Sequence, residues 1–221
     1  MVDAVVFDAY GTLFDLASAL RGEEQALGDR GRQLGELWRR KQLEYTWVRS
    51  LAGQHADFWQ VTGDSLDYAL EALGLADPAR RDRLLAAYRT LRPYPEVAEV
   101  LAALDAGGLR LAILSNGEPG MLRAAIEAGG LAGRFARVLS VEDVGVYKPA
   151  PAVYALACGE LDLPPRRIAF VSANGWDGYG AAAFGLRVFR IDRTGAPAER
   201  LPAAPEAVLP DLRPLPGLLL G

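Results

Sequence analysis

The stretch AVVFDAYGTLFD, residues 4–15, decides the fold. Its first four residues are apolar without alternation, which is typical of a strand buried on both faces of a parallel sheet. Asp8 follows this strand, and Gly11 allows a turn directly after it. In open parallel sheets ligands bind at the carboxyl ends of the strands, so Asp8 stands where chemistry is expected. For this segment alone, an Asx turn that merely closes a strand is an equal alternative.

Four further apolar runs predict strands, and segments with helical periodicity separate them. The strands are predicted at 110–114, 137–141, 168–171 and 187–191, and the helices at about 96–106, 119–129, 149–161 and 177–184. This alternation of strand and helix predicts an α/β fold with a doubly wound, Rossmann-like parallel sheet.

The region behind the first strand is different, because it holds no proline before Pro78 and can therefore form long helices. Helical patterns cover about 16–28, 33–51, 56–74 and 79–90. We therefore expect a core domain of residues 1–14 and 95–221, with a mainly helical cap domain of residues 15–94 inserted after the first strand. Six of the 14 prolines lie in the last 25 residues, which predicts an extended tail with a short strand near Val208.

The composition excludes several classes of site. The chain of 221 residues has one cysteine, Cys158, and one histidine, His55, so it forms no internal disulfide and no zinc site with two histidines. The net charge is −4 with no basic cluster, which argues against a nucleic-acid partner. Since neither a signal peptide nor a long apolar run is recognisable, we expect a cytoplasmic protein without a membrane partner. His55 is interpreted as a structural or surface residue and Cys158 as a small buried apolar residue.

Polar residues also stand after the other predicted strands. Ser115-Asn116 follows the second strand, Lys148 precedes a predicted helix, and Ser172, Asn174 and Asp177 follow the fourth strand. Each group alone has an ordinary interpretation as a turn, a helix cap or a solvated charge. Because the carboxyl ends of parallel strands share one edge of a sheet, the groups are expected to meet near Asp8.

In this order and spacing, the four segments resemble the haloacid dehalogenase superfamily. The segments FDAYGTLFD (7–15), LWRRKQLEYTWVRS (37–50) and VSAN (171–174) are similar to the L-2-haloacid dehalogenases within it. The resemblance implies a hydrolase that converts short-chain L-2-haloacids to D-2-hydroxy acids and releases a halide ion. It also implies a covalent ester on Asp8, no cofactor, no metal ion and a homodimer.

The resemblance further implies roles for individual residues. Asp8 is the nucleophile, Thr12 orients it, Lys148 keeps it ionised, and Asp177 positions or activates the hydrolytic water. The remaining implied residues are those of the polar framework, Tyr154, Ser172 and Asn174.

For binding, the resemblance implies that Ser115 holds the substrate carboxylate and that Asn116 and Arg39 hold the departing halide. An apolar wall that excludes water from the nucleophile is implied at Tyr10, Leu43, Phe58 and Trp176. Without the resemblance, Arg39 would be interpreted as a solvated charge and Tyr154 and Trp176 as core residues. Two positions depart from the expected pattern, because Arg40 replaces an uncharged polar residue and Gly175 a bulkier one.

Tyr10 separates this reaction from its main alternative, a Mg²⁺-dependent phosphatase of the same superfamily. Such phosphatases resemble this chain but carry a second aspartate there, which protonates the leaving alkoxide. A halide leaves as a stable anion and needs no acid, so Tyr10 costs a dehalogenase nothing. A third hypothesis is a non-catalytic protein that binds small anions, which the combination of Asp8, Lys148 and Asp177 disfavours.

Overall fold

The computed structural model describes all 221 residues and is built on one six-stranded parallel sheet. The strands are β1 (Ala4–Phe7), β2 (Arg110–Ser115), β3 (Arg137–Ser140), β4 (Ile168–Ser172), β5 (Arg187–Ile191) and β6 (Ala207–Leu209). Their order across the sheet is β3-β2-β1-β4-β5-β6, with every neighbouring pair parallel. The order reverses between β1 and β4, so the predicted doubly wound α/β fold is confirmed and Asp8 lies at its switch point.

Helices follow the strands much as the periodicity predicted. They are α1 (Arg21–Leu27), α2 (Asp29–Ala52), α3 (Phe58–Ala72), α4 (Pro78–Arg89), α5 (Val97–Ala106), α6 (Pro119–Ala128), α7 (Pro151–Leu161), α8 (Gly175–Phe184) and α9 (Leu215–Leu220). The first five lie between β1 and β2, and we call the first four of them, α1 to α4, the helical insertion. No helix has both the length and the apolar character needed to cross a membrane.

The chain enters and leaves the helical insertion at one place. The Asp15 amide donates to the Arg92 carbonyl at 2.8 Å, and the Tyr94 amide donates to the Leu13 carbonyl at 2.9 Å. The two segments that connect the insertion to the sheet thus run side by side. The division into a core of 1–14 and 95–221 and a cap of 15–94 stays a prediction.

The long helix α2 supplies the face of the insertion that turns inward. Leu34, Trp38, Gln42 and Thr46 recur at four-residue spacing and are buried. The helix ends where Gly53 adopts a left-handed φ of 64°, a conformation in which glycine carries no steric penalty. A buried glutamine on such a face needs hydrogen-bond partners inside the protein.

Three local predictions were wrong. The helix predicted at 16–28 is broken into a 3-10 helix at Leu16–Ala19 and α1, and Val141 begins a 3-10 turn instead of ending β3. The tail is not extended throughout, because α9 forms near its end. Pro214 and Pro216 flank the start of α9, where a missing N–H costs nothing, and Leu215 is fully buried.

Candidate active site

The Asp8 carboxylate lies at the end of β1 and is only 6% exposed. Its Oδ2 accepts hydrogen bonds from Thr12 Oγ1 at 3.0 Å and from Asn174 Nδ2 at 2.9 Å. Thr12 Oγ1 in turn accepts the Ala173 amide at 2.8 Å, which commits its own proton to Asp8. Asp8 Oδ1 meets only Lys148 Nζ, at 3.2 Å. One oxygen is therefore immobilised, and the other keeps lone pairs free for attack.

Lys148 lies between two carboxylates with its side chain 1% exposed. Its Nζ is 2.9 Å from Asp177 Oδ2 and 3.2 Å from Asp8 Oδ1. Burial lowers the pKa of Lys148, but the charges of Asp177 and Asp8 outweigh burial and raise that pKa above its ordinary value. The ammonium therefore stays charged and compensates one of the two negative charges.

Asp177, in the first turn of α8, is fully buried. Its Oδ1 accepts from the Tyr154 hydroxyl at 2.8 Å, and its Oδ2 accepts from Lys148 and from Ser172 Oγ at 3.0 Å. Burial raises the pKa of Asp177 from 3.8 to about 6; Lys148 opposes this shift and the charge of Asp8 adds to it. Asp177 thus titrates close to the pH at which a general base works best.

The helical insertion contributes a guanidinium to the site. Arg39 Nη2 donates to Asn174 Oδ1 at 3.3 Å, and Asn174 also holds Asp8. Arg39 Nη1 donates to Gln42 Oε1 at 2.7 Å. Arg39 is 31 residues from Asp8 in the sequence, yet only the Asn174 side chain lies between the two in the structure. This position is the one expected for a cation that α2 carries into the site.

Gln42 and Tyr88 support Arg39, and the sequence-based prediction missed both. Gln42 Nε2 donates to Thr62 Oγ1 at 2.7 Å and to the Tyr88 hydroxyl at 3.2 Å, leaving Gln42 Oε1 for Arg39. Gln42 could have been noticed as a polar residue on the otherwise apolar face of α2. A buried amide is almost always hydrogen-bonded, so its position indicates a polar partner nearby.

The aromatic residues of the predicted apolar wall fall into two groups. Tyr10 packs against Phe58, with ring centroids 5.9 Å apart, and against Tyr88 at 5.5 Å. Trp176 packs edge-on against Trp47 at 5.6 Å. The predicted wall thus has Tyr10 and Phe58 in one aromatic group and Trp176 in the other, and no ring contact joins the two groups. The fourth predicted member, Leu43, lines a cavity that Arg39 and Tyr88 also line.

Ser115 and Asn116 form the turn after β2. Ser115 is fully buried and its Oγ accepts the Gly117 amide at 3.1 Å, while its own proton has no protein acceptor. Asn116 Oδ1 accepts the Lys148 amide at 3.1 Å, and its amide group donates to no protein atom. Two donors therefore remain available for a bound anion.

A third missed residue, Arg193, reaches the loop after β1 from beyond β5. Its Nη1 donates to Glu96 Oε1 at 2.7 Å and its Nη2 to the Thr12 carbonyl at 3.3 Å. The guanidinium also lies 3.6 Å from the Tyr94 ring centroid. The Thr12 backbone is thus held by a partly buried ion pair, while its side chain donates to Asp8.

Four further positions from the sequence analysis, His55, Cys158, Gly175 and Arg40, make no contact with Asp8. His55 Nε2 lies 2.8 Å from Glu142 Oε2, and Cys158 is half-buried on α7. Gly175 leaves room for the Glu199 side chain, which an added Cβ would strike. Arg40 is exposed and makes no ion pair within 4.0 Å.

Comparison with known proteins places these features in context. The sequence model of a family of hydrolases described as haloacid dehalogenase-like matches residues 2–185. Over 220 residues the chain is 46% identical to (S)-2-haloacid dehalogenase 1 of Pseudomonas sp. (strain CBS-3), covering 99% of this chain and 97% of that protein. It is 45% identical to (S)-2-haloacid dehalogenase 4A of Burkholderia cepacia, covering 90% and 88%.

A solved structure gives the same likeness. The L-2-haloacid dehalogenase of Xanthobacter autotrophicus, with chloropropionic acid covalently bound, superimposes with a TM-score of 0.91 at 42% identity. The match covers all of this chain and 99% of that one.

Proposed function

Because the chain belongs to the haloacid dehalogenase-like hydrolases and matches the (S)-2-haloacid dehalogenases along nearly its whole length, we propose that it hydrolyses short L-2-haloacids to D-2-hydroxy acids. The observation that carries the proposal is the Asp8 carboxylate, held by Thr12 and Asn174 on one oxygen and free to attack through the other.

In the first step, Asp8 Oδ1 attacks C2 of the haloacid from the side opposite the halogen. The new O–C bond forms as the carbon–halogen bond breaks, and the halide leaves with the bonding pair. This displacement inverts the configuration at C2. Arg39 and the Asn116 amide stabilise the departing anion, while the Ser115 hydroxyl and nearby amides hold the substrate carboxylate. The covalent chloropropionic acid complex of the Xanthobacter relative supports this route.

In the second step, water attacks the carboxyl carbon of the Asp8 ester. Asp177 takes the proton of that water, which its pKa of about 6 allows near neutral pH. The carbonyl carbon–oxygen bond of the ester breaks, so C2 keeps its inverted configuration, and the hydroxy acid leaves as Asp8 is regenerated.

We propose that neither step needs a metal ion. The halide requires no Lewis acid to leave. Lys148 already supplies the positive charge between the carboxylates of Asp8 and Asp177. The position of a phosphatase's second acid is taken by Tyr10, whose buried hydroxyl has no hydrogen-bond partner.

The test is halide release from L- and D-2-chloropropionate in the presence of EDTA. We expect release from the L-enantiomer only, with D-lactate as product and no turnover by Asp8→Asn. In a single turnover in heavy-oxygen water, the label should enter Asp8 before it enters product. A label that goes straight to lactate contradicts the ester, and the absence of halide from any short 2-haloacid contradicts the function.

We also propose a homodimer that packs through the helical insertion. Val48 and Leu51 on α2 are 57% and 90% exposed, and Tyr68 on α3 is 43% exposed. Val48 and Leu51 are close in sequence on one helix, and neighbouring exposed apolar residues are typical of an interface. Light scattering should give twice the chain mass for the natural protein and the single mass for Leu51→Glu.

A further inference from the structure

A path of five hydrogen bonds connects the first turn of α3 to the nucleophile. It runs from the Phe58 carbonyl to Asp8 through Thr62, Gln42, Arg39 and Asn174. The donor–acceptor distances along it are 2.6, 2.7, 2.7, 3.3 and 2.9 Å, in that order. The proposed reaction uses Asp8, Asn174 and Arg39 but gives no task to Thr62 or Gln42.

The part of the path inside the helical insertion is shut off from water. Thr62 is fully buried, and Gln42 is 1% exposed. A buried donor or acceptor without a partner is costly, since folding removes it from water without replacing the lost hydrogen bond. Neither residue can therefore exchange its partner for solvent, and the geometry of each bond depends on the next.

The direction of donation along this part is set at both ends. The Phe58 carbonyl can only accept, and it takes the single hydroxyl proton of Thr62. Thr62 Oγ1 is thereby left as an acceptor for Gln42 Nε2. At the other end the Arg39 guanidinium can only donate, so it needs the oxygen of the Gln42 amide. One orientation of the amide satisfies both neighbours.

Tyr88 also contacts the Gln42 amide, but it does not select that orientation. Its hydroxyl lies 3.2 Å from Gln42 Nε2 and 3.3 Å from Gln42 Oε1. A hydroxyl group both donates and accepts, so it can pair with either end of the amide. Thr62, whose proton is committed to a helix carbonyl, accepts only from the nitrogen. Removing the Thr62 hydroxyl therefore frees the amide to turn away from Arg39.

Arg39 passes this constraint on to the nucleophile. It donates to Asn174 Oδ1, which leaves Asn174 Nδ2 to face Asp8. The guanidinium is held at Nη1 by Gln42 and at Nη2 by Asn174, from two different parts of the fold. A planar group held at two nitrogens has fixed directions for its remaining N–H bonds. Those remaining bonds are the ones available to a departing halide.

We propose that Thr62 and Gln42 are positioning residues that aim Arg39 at the departing halide. The proposal rests on the proposed function and deepens it, because it assigns control of the leaving-group preference to residues that do not touch the substrate. Chloride is smaller than bromide and concentrates its charge more, so it gains more from a correctly aimed charged donor. A displaced Arg39 should therefore slow cleavage of a carbon–chlorine bond more than cleavage of a carbon–bromine bond.

The first test replaces Thr62 by valine, which has nearly the same shape but no hydroxyl. Single-turnover rates of halide release are measured by rapid quench with L-2-chloropropionate and L-2-bromopropionate. In Thr62→Val we expect about a tenfold fall with the chloro acid and about a threefold fall with the bromo acid, as for one lost hydrogen bond. Thr62→Ser, which keeps the hydroxyl, should restore both rates to within about twofold of the natural values.

Ser65→Ala is the matched control. Ser65 is also a fully buried hydroxyl residue of α3, and it donates to the Val61 and Thr62 carbonyls without belonging to the path. This variant should keep the natural ratio of the chloro to the bromo rate. An equal fall with both acids in Thr62→Val shows a purely structural role and overturns the proposal, while the proposed function stands. Absence of halide from the natural protein with either acid overturns both.

A double-variant cycle is the second test. Gln42→Met removes the amide that joins Thr62 to Arg39, so it should show the same larger loss with the chloro acid, whether or not Thr62→Val folds. Adding Thr62→Val to Gln42→Met should change the rates by less than about twofold, because Thr62 acts only through Gln42. If the two losses multiply, Thr62 reaches the reaction by another route and the proposal is wrong.

Discussion

Replacing Asp177 by asparagine tests the division of labour between the two buried carboxylates. The variant keeps the size of the side chain and removes its charge. The oxygen of the new amide can still accept from Lys148 and Ser172, as Asp177 Oδ2 does at 2.9 and 3.0 Å. Its NH₂ group would face Tyr154, whose hydroxyl keeps a second acceptor in the carbonyl of residue 177 at 3.1 Å. The hydrogen-bonded framework therefore survives the substitution.

The two chemical steps should respond differently to Asp177→Asn. Ester formation depends on Asp8 and loses only the charge on one hydrogen bond to Lys148. A loss of about 1 kcal/mol there slows this step about fivefold. Ester hydrolysis loses its general base, which is worth about 10² to 10⁴ in rate. The variant should therefore release one halide per site in a burst and then turn over slowly.

The free energy of unfolding of the natural protein should depend on pH through the ionisation of Asp177. Raising the carboxyl pKa from 3.8 to about 6 costs the ionised form of Asp177 about 3 kcal/mol. Between these pH values the folded state binds more protons than the unfolded state, so the free energy of unfolding falls as pH rises. This contribution is complete below pH 3.8 and is lost as pH rises through about 6. The Asp177→Asn variant lacks it.

Three measurements check these expectations. Rapid-quench halide assays follow the burst, intact-protein mass spectra detect the covalent adduct, and urea unfolding from about pH 4 to 7 follows the stability. The substitution Asp105→Asn, at an exposed position, is the control. The stability of natural protein relative to Asp177→Asn should drop by about 2 kcal/mol across that range, because part of the contribution is already lost at pH 4. A covalent adduct should accumulate in Asp177→Asn alone. If ester formation and hydrolysis slow by the same factor, or if no adduct accumulates, Asp177 is not the base and serves only to hold Lys148.

Three further substitutions have distinct expected results. Tyr10→Phe removes a buried hydroxyl without a partner, so urea unfolding should show equal or slightly higher stability and kcat/KM for halide release should change less than about threefold. Lys148→Met leaves two buried carboxylates uncompensated, so unfolding should become easier by about 3–5 kcal/mol and the halide burst should vanish. Arg193→Gln removes the hydrogen bonds to Glu96 and to the Thr12 carbonyl, so kcat should fall about tenfold while KM changes little. Arg193→Lys should recover part of the lost kcat.

The sheet was the most predictable part of the fold, because strands buried on both faces need continuous apolar runs. The predicted first strand at 4–7 and fifth strand at 187–191 agree with β1 and β5 to the residue. The errors arose where tertiary contacts override a local pattern. The tail helix α9 forms because Leu215 is buried under neighbouring elements, and neither that contact nor its partner on α5 is visible in the periodicity of the tail.

The site was predictable for groups at strand ends and less so for groups that reach it from elsewhere. Asp8 and Ser172 could be placed by the sheet alone, since parallel strands end at a common edge. Arg39 needed the family resemblance, because nothing in the pattern of α2 shows how the insertion folds back. Gln42 and Arg193 were missed because neither contacts Asp8 directly. Gln42 acts through Arg39 and Arg193 through Thr12, and no sequence motif spans the distance from either residue to Asp8.

The net charge of the candidate active site depends on where the helical insertion lies, because Arg39 belongs to the insertion. Asp8, Lys148 and Asp177 together carry one net negative charge when Asp177 is ionised, which by itself repels a haloacid. Arg39, 3.3 Å from Asn174, restores neutrality only while α2 lies over the carboxyl end of β1. Since the chain as a whole has a net charge of −4, no long-range field replaces that attraction. We therefore propose that an anionic substrate is held through Arg39 only while the helical insertion keeps this position, which also shields the Asp8 carboxylate from water.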